Sequence, residues 1–164
     1  MIFWGNILVE AHGMLFDLLV IGVFILWLNR LGERRQTIQR YREEIEDYLG
    51  WNEKEATYRI VGNIRRLNRE SVSDIALSQA YLQGAKLGGA DLHKADLWGA
   101  NLHGAILLAT DLCEADLIGA NLRGANLHGA GLRGAKLGGA RYNDETIWPD
   151  GFDPEAAGAI KDDD

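Results

Sequence analysis

Residues 80–104 read AYLQG-AKLGG-ADLHK-ADLWG-ANLHG, which are five consecutive units of five residues with a leucine at the centre of each. The spacing continues in both directions, because every fifth residue from Leu77 to Leu137 is leucine. Alanine recurs every five residues from Ala80 to Ala140, two positions before the central residue of each unit, with Thr110 as the one exception. Glycine commonly follows each leucine by two positions. A period of this regularity marks residues 75–142 as one repeat region.

The five-residue period fits neither the 3.6-residue period of an α-helix nor the two-residue period of a β-strand. One long helix would carry glycine in its interior, at a cost of about 1 kcal/mol each relative to alanine. Short extended pieces joined by corners fit better, with leucine and alanine in a narrow core and glycine at the bends. Such turns bury a core only when they stack. A disordered Gly/Ala tract is the alternative, and thirteen leucines in register argue against it.

The A-(D/N)-L-x-x pattern of residues 75–142 resembles the pentapeptide-repeat family. The resemblance implies a β-solenoid: a right-handed, four-sided (quadrilateral) β-helix with about twenty residues per coil and about 3–4 coils. Some members of that family mimic DNA and bind type II topoisomerases. That mode needs a long acidic rod, whereas residues 75–142 carry six basic and five acidic side chains. A DNA-mimic, topoisomerase-binding protein is therefore the weaker alternative, and we expect no nucleic-acid partner.

The N-terminal segment is mostly apolar. Residues 1–29 contain no Lys or Arg, and Leu18–Leu28 is an unbroken apolar run. Since about 20 apolar residues cross a bilayer, we predict a single transmembrane helix over residues 1–29. Five arginines follow directly between Arg30 and Arg42. The positive-inside bias then predicts a single-pass membrane protein whose C-terminal solenoid lies in the cytoplasm.

Polar and small residues interrupt this segment at helical spacing. A candidate helix-association stripe on one face contains Asn6, Glu10, Gly13 and Asp17. One hypothesis is that several copies associate along the stripe as a homo-oligomer, with Glu10 and Asp17 inside the bundle. The alternative is that both carboxylates lie in the outer half of the span and reach interfacial water.

The repeat region is flanked by two segments that we expect to cap it. Residues 30–74 are predicted to be a helical connector and N-terminal cap, with a second helix starting at Asn52 and Glu55 as a partial capping box. Residues 143–164 are predicted to form a C-terminal cap and acidic tail, in which Trp148 and Phe152 cover the last leucine layer. This tail holds eight acidic residues against Lys161, so it accounts for almost all of the net charge of -7.

A search for chemistry finds no nucleophile elbow, phosphate loop, H-E-x-x-H or CxxC pair. We therefore predict no enzyme, and no catalytic, cofactor or metal residues. Stacking at twenty residues places His93, Cys113 and Arg133 in one outward column. An imidazole beside a thiol can bind a metal or activate the sulfur, but we interpret these positions as ordinary surface.

Outward apolar residues suggest a candidate partner surface. Trp98 is predicted to stack over Ile118 on one side, and Ile106 and Leu108 to project from the opposite side. The alternative is that the connector helix or the tail covers them. We predict a membrane-anchored, non-enzymatic scaffold that binds a protein partner and self-associates through its N-terminal helix. The alternative function is a small oligomeric membrane channel or effector with Glu10 and Asp17 in the bundle.

Overall fold

The computed structural model describes the backbone of residues 2–162 and the side chains of residues 16–162. Helix α1 covers Ile2–Tyr48 and helix α2 covers Lys54–Arg69. The repeat coils follow, and two short strands, β1 (Arg141–Tyr142) and β2 (Ile160–Lys161), close the chain. The contacts of the chain divide it between Gln39 and Arg40 into two compact units.

The repeat region is a stack of coils joined by parallel bridges between residues twenty positions apart, except that Asn126 bridges Ile147, twenty-one positions away. The first column of bridges contains Ala76, Asp96, Asp116 and Lys136. Three further columns contain Tyr81–Asn101–Asn121–Arg141, Lys86–Ile106–Asn126–Ile147 and Asp91–Asp111–Gly131. Four columns with this spacing describe a four-sided coil, and the prediction of a β-solenoid is confirmed. Its right-handedness stays a prediction.

Leucine forms the core of the solenoid. The thirteen leucines from Leu77 to Leu137 are all buried, with 8% exposure or less. A fully buried leucine contributes about 1.5–3 kcal/mol, so the leucine columns supply the stability of a region that has little other secondary structure. Each side ends in a tight turn, such as the one closed by the hydrogen bond from Ala80 N to Leu77 O at 3.0 Å.

The corner residue, two positions after each leucine, adopts positive φ angles. Glycine takes this conformation without a steric cost, which explains why glycine recurs at that position. Four corners instead hold a residue with a Cβ atom: Gln79, Lys94, Ala109 and Glu114, with φ angles of 58°, 61°, 52° and 58°. The coil geometry therefore overrides the backbone preference of these four residues.

Helix α2 packs on the first coil of the solenoid. Its buried side chains include Ile60, Ile64 and Leu67. Thr57 Oγ1 donates to Tyr81 O at 3.0 Å, and Arg65 Nη2 donates to Lys86 O at 3.1 Å. The N-cap residue is Glu53, one position after the predicted Asn52, and its side chain makes no capping hydrogen bond.

The last coil is followed by an aromatic cluster. The rings of Trp148 and Phe152 stack with their centroids 5.3 Å apart, and Tyr142 meets Trp148 edge-on at 5.5 Å. Strand β2 pairs in parallel with β1, so that Ile160 lies beside Arg141. The backbone of residues 158–162 thereby adds one more layer below Gly139, Ala140 and Tyr142.

The predicted transmembrane helix requires a correction. Within the residues whose side chains are described, no helix contains a stretch long and apolar enough to cross a bilayer. The reason is the short apolar run: Asp17 precedes Leu18–Leu28, and Asn29 and Arg30 follow it. Eleven helical residues extend roughly 16 Å, about half of the 30 Å hydrocarbon core. The side chains of residues 1–15 of the predicted span lie outside the described part.

Candidate interaction surfaces

Where Asp or Asn precedes a leucine, its side chain hydrogen-bonds to the backbone N–H of the residue after that leucine. Asp96 Oδ1 accepts a hydrogen bond from Trp98 N at 3.0 Å, and Asp116 Oδ1 accepts one from Ile118 N at 3.1 Å. Among the described residues, neither of these two N–H groups has a second acceptor. The recurring Asp or Asn therefore holds the backbone so that the next outward side chain stands on the face.

Trp98 and Ile118 occupy equivalent positions in adjacent coils and form the first apolar pair, the Trp98–Ile118 patch. The coils are joined there by Gly99 N donating to Ile118 O at 2.8 Å. The two side chains are 47% and 36% exposed. A small residue lies at the same position in each neighbouring coil: Ser78 Oγ donates to Trp98 O at 3.4 Å, and a Cβ at Gly138 would lie 3.9 Å from Ile118 Cγ1. The pair therefore projects between two small residues.

Ile106 and Leu108 form the second apolar pair, the Ile106–Leu108 patch, on another side of the solenoid. Ile106 bridges Lys86 and Asn126, and the side chains of Ile106 and Leu108 are 42% and 45% exposed. Gly88 lies beside Leu108, where an added Cβ would be 3.4 Å from Leu108 O. Neither the connector nor the tail covers either patch within the described residues of the second unit. Their role as a partner surface stays a prediction.

Of the predicted helix-association stripe, only Asp17 lies among the residues whose side chains are described, and it is exposed. Asn6, Glu10 and Gly13 lie outside that range. The neighbouring run Leu18–Leu28 is apolar around the whole helix, and its large side chains are 45% to 67% exposed. The association of copies along the stripe therefore stays a prediction.

In the column of His93, Cys113 and Arg133, the surroundings of Cys113 favour the protonated thiol, whereas a reactive thiol must lose its proton. Asp111 Oδ1 accepts from Cys113 N at 2.9 Å. A hydrogen bond from the thiol to the Asp111 carboxylate raises the pKa of Cys113, and partial burial adds to the rise. A raised pKa disfavours the thiolate that metal binding and nucleophilic attack require. Among the described residues, no group of three His, Cys, Asp or Glu side chains is placed to hold a metal ion.

Exposed ion pairs connect neighbouring coils. Lys94 Nζ lies 3.4 Å from Glu114 Oε2, and Lys136 Nζ lies 3.3 Å from Asp116 Oδ2. Exposed pairs of this kind contribute at most about 1 kcal/mol. These two pairs account for four of the eleven charged side chains of residues 75–142.

Sequence reasoning did not predict a groove between α2 and the first coil, which Val61, Gly62 and Ala85 line. The only local signal for it was a glycine in the middle of an otherwise regular helix. A groove between two distant segments becomes visible only when their packing is known.

Comparison with known proteins found a matching family model and several similar solved structures. A family model described as pentapeptide repeats matches residues 73–107 and 109–141 with eight copies. The chain is similar to a pentapeptide repeat protein from the cyanobacterium Cyanothece 51142, at 43% identity over 47% of this chain and 52% of that one, with a TM-score of 0.46. It therefore spans about half the length of that protein.

Two further solved structures are also similar. One is a pentapeptide repeat protein from Nostoc PCC 7120, at 41% identity over 55% of this chain and 78% of that one, with a TM-score of 0.34. The other is a pentapeptide repeat protein from the Arabidopsis thaliana thylakoid lumen, at 32% identity over 43% of this chain and 57% of that one, with a TM-score of 0.30. No curated protein matches the chain.

Proposed function

The chain belongs to the pentapeptide-repeat family, and from that premise we propose that it is a non-enzymatic interaction scaffold that its apolar N-terminal helix attaches to a membrane. The solenoid presents side chains on faces fixed by the coil geometry, which suits recognition of a protein partner. The helix supplies localisation. The two roles lie in different segments of the chain and are tested separately.

The observation that carries the scaffold role is the exposure of the Trp98–Ile118 patch on the solenoid. Aromatic side chains are enriched among the residues that dominate binding energy at interfaces. Trp98 is half-exposed, and its backbone is held by Asp96 and by Gln79 of the preceding coil, whose N–H donates to Trp98 O. No segment has to become ordered before binding. A preorganised surface loses less conformational entropy on association.

The observation that supports membrane attachment is the exposure of Leu18–Leu28 on every side of α1. A helix that is apolar all round needs an apolar environment. The arginines that follow, among them Arg30 and Arg35, match a segment that faces anionic lipid headgroups. We propose insertion of this apolar run into one leaflet of the bilayer.

A photo-crosslinking experiment in intact cells tests the scaffold role. A benzophenone amino acid replaces Trp98, Leu108 or, as a control at an exposed position on a face that carries neither patch, Arg133. We expect one discrete protein adduct from position 98 or 108 and none from position 133. Two serine double variants, Trp98→Ser/Ile118→Ser and Ile106→Ser/Leu108→Ser, then identify which patch the partner needs. Adducts of equal yield from all three positions would contradict a specific surface.

Flotation with vesicles tests membrane attachment independently. The full chain should float with phosphatidylcholine–phosphatidylserine vesicles, and Ile21→Lys/Ile25→Lys should abolish flotation because two charges enter the apolar run. Lys136→Gln, a change on the solenoid, is the control. Flotation of the double lysine variant at the level of the parent protein would refute attachment through this helix. Resistance to carbonate washing would measure how deeply the helix inserts.

A further inference from the structure

Helix α2 and the first coil of the solenoid enclose an open groove of about 340 Å³. Val61 and Ala85 form its apolar floor and are themselves buried, with 7% and 2% exposure. Gly62 of α2 and Gly84 of the first coil also line the groove, and neither has a side chain to fill it. Ligand sites in proteins are typically concave and apolar with a few polar groups at the edge.

Gly62 lines this groove, and the backbone conformation at residue 62 does not require a glycine. It lies in the interior of α2, its φ angle is not positive, and an added Cβ would meet only the flexible guanidinium of Arg66, with Nη1 at 3.8 Å. Glycine is unfavourable in a helix interior because it loses the most conformational freedom on folding. A larger residue would favour the helix and occupy the groove. The absence of a side chain at Gly62 therefore leaves the groove open, and the packing of α2 does not require it.

Three cations surround the floor: Lys54, Arg65 and Lys86. No acidic residue lines the groove, although the chain as a whole carries a net charge of -7. None of the three forms an ion pair with a described residue, whereas Lys94 and Lys136 each pair with a carboxylate of a neighbouring coil. The hydrogen bond from Arg65 Nη2 to Lys86 O, at 3.1 Å, holds the guanidinium at the edge of the groove.

We propose that this groove binds an acidic peptide segment of a partner protein. One apolar side chain of the peptide lies on Val61 and Ala85, and its flanking carboxylates face Lys54, Arg65 and Lys86. Charge complementarity selects an acidic peptide over a neutral one, and the apolar floor requires an apolar anchor next to the acids. The inference goes beyond the proposed scaffold patches, since the groove shares no residue with them.

The test uses the full chain in detergent and the fluorescein-labelled, capped pentapeptide EDFED, with binding followed by anisotropy. We expect saturable binding and at least about tenfold weaker binding of the uncharged peptide QNFQN. Gly62→Leu fills the groove and should weaken EDFED binding by about tenfold or more. Lys54→Gln/Lys86→Gln removes two of the cations without touching the floor and should do the same. Lys136→Gln, on another side of the solenoid, should bind EDFED like the parent protein.

Several results would overturn the proposal. One is the absence of saturable binding up to about 1 mM peptide. Another is EDFED binding that neither Gly62→Leu nor the double lysine variant weakens. Equal affinity for QNFQN would remove the role of charge. Displacement of EDFED by phosphatidylserine vesicles that depends on Lys54 and Lys86 would assign the groove to lipid. None of these measurements uses the Trp98–Ile118 patch, so the scaffold proposal stands or fails independently.

Discussion

The side-chain amide of Asn68 pairs with the backbone of Asp91 through two hydrogen bonds. Asn68 Nδ2 donates to Asp91 O at 2.7 Å, and Asn68 Oδ1 accepts from Asp91 N at 2.9 Å. In every later coil, the corresponding backbone groups bond to the preceding coil; for example, Asp111 N donates to Ala90 O at 3.0 Å. Asn68 therefore replaces a missing coil at the start of the stack and satisfies both polar groups of Asp91.

Asn68→Ala should lower the free energy of unfolding of the solenoid by about 1–3 kcal/mol, since each hydrogen bond contributes roughly 1 kcal/mol. Asn68→Asp keeps an acceptor for Asp91 N but sets a carboxylate oxygen against Asp91 O, so it should not rescue stability. Urea unfolding followed by circular dichroism measures both changes. Asn52→Ala is the control, because Asn52 does not cap α2 and its loss should change the midpoint little. Equal losses in Asn52→Ala and Asn68→Ala would contradict the pairing.

The repeat period predicted a stack of short coils, and the resemblance to the pentapeptide-repeat family implied about twenty residues per coil. Together they predicted that residues twenty apart, such as Trp98 and Ile118, become neighbours. The local turn made by Asp96 was not predicted, although it is encoded within three residues. Features that depend on short-range geometry can be predicted from the sequence because the same unit recurs along the chain.

The contacts at the ends of the stack could not be predicted in the same way. The pairing of Asn68 with Asp91 and the groove at Gly62 depend on how a helix outside the repeat docks on the first coil. Thr110 shows the same limit within the repeat: it occupies an alanine position, and only the structure shows that its Oγ1 donates to Leu87 O at 2.9 Å. The transmembrane prediction was wrong for the described residues because it counted apolar content across a segment that Asp17 interrupts.

Ala109 occupies a corner position with a φ angle of 52°, where most other units have glycine. A residue with a Cβ atom destabilises the folded state by about 1–2 kcal/mol in this conformation. Glycine avoids that steric cost, but the greater freedom of the unfolded chain costs about 0.5–1 kcal/mol relative to alanine. Ala109→Gly should therefore raise the free energy of unfolding by up to about 1.5 kcal/mol, measured by thermal or urea unfolding. Ala105→Gly, at a buried position of the same unit, should lower it. A loss of stability in Ala109→Gly would contradict the strain at this corner.

Cys113 is the one cysteine of the chain, so its alkylation can be followed without interference. The hydrogen bond from the thiol to the Asp111 carboxylate favours the protonated sulfur and raises the pKa of Cys113. Asp111→Asn removes the negative charge but keeps an oxygen for Cys113 N. We expect the pH midpoint of iodoacetamide alkylation to move to lower pH, and the rate at pH 7 to increase several-fold. Asp116→Asn, one unit further along, should leave the midpoint unchanged. An unshifted midpoint in Asp111→Asn would show that the carboxylate does not control the thiol.

Asp162 fixes the end of β2 against the solenoid by ion pairs. Arg141 Nε and Nη2 donate to Asp162 Oδ1 at 3.1 Å and 2.9 Å, and Arg123 also contacts the carboxylate. The hydrogen bonds from Arg141 lower the pKa of Asp162, and the charge of Arg123 adds to the effect against the opposing cost of burial. A carboxyl group with a lowered pKa in the folded state stabilises the protein above its unfolded pKa of about 3.9, and this stabilisation is lost as the pH falls through the folded value.

Asp162→Asn should therefore be less stable than the parent protein at pH 7. The difference in unfolding midpoint should shrink below about pH 4 and vanish once the carboxylate is protonated in both the folded and the unfolded state. Urea unfolding at a series of pH values from 7 to 2 measures this difference. Asp150→Asn, an exposed residue of the same terminal segment, should match the parent protein at every pH. A difference for Asp162→Asn that stays constant down to the lowest pH would show that packing, and not the charge of the carboxylate, holds β2 on the last coil.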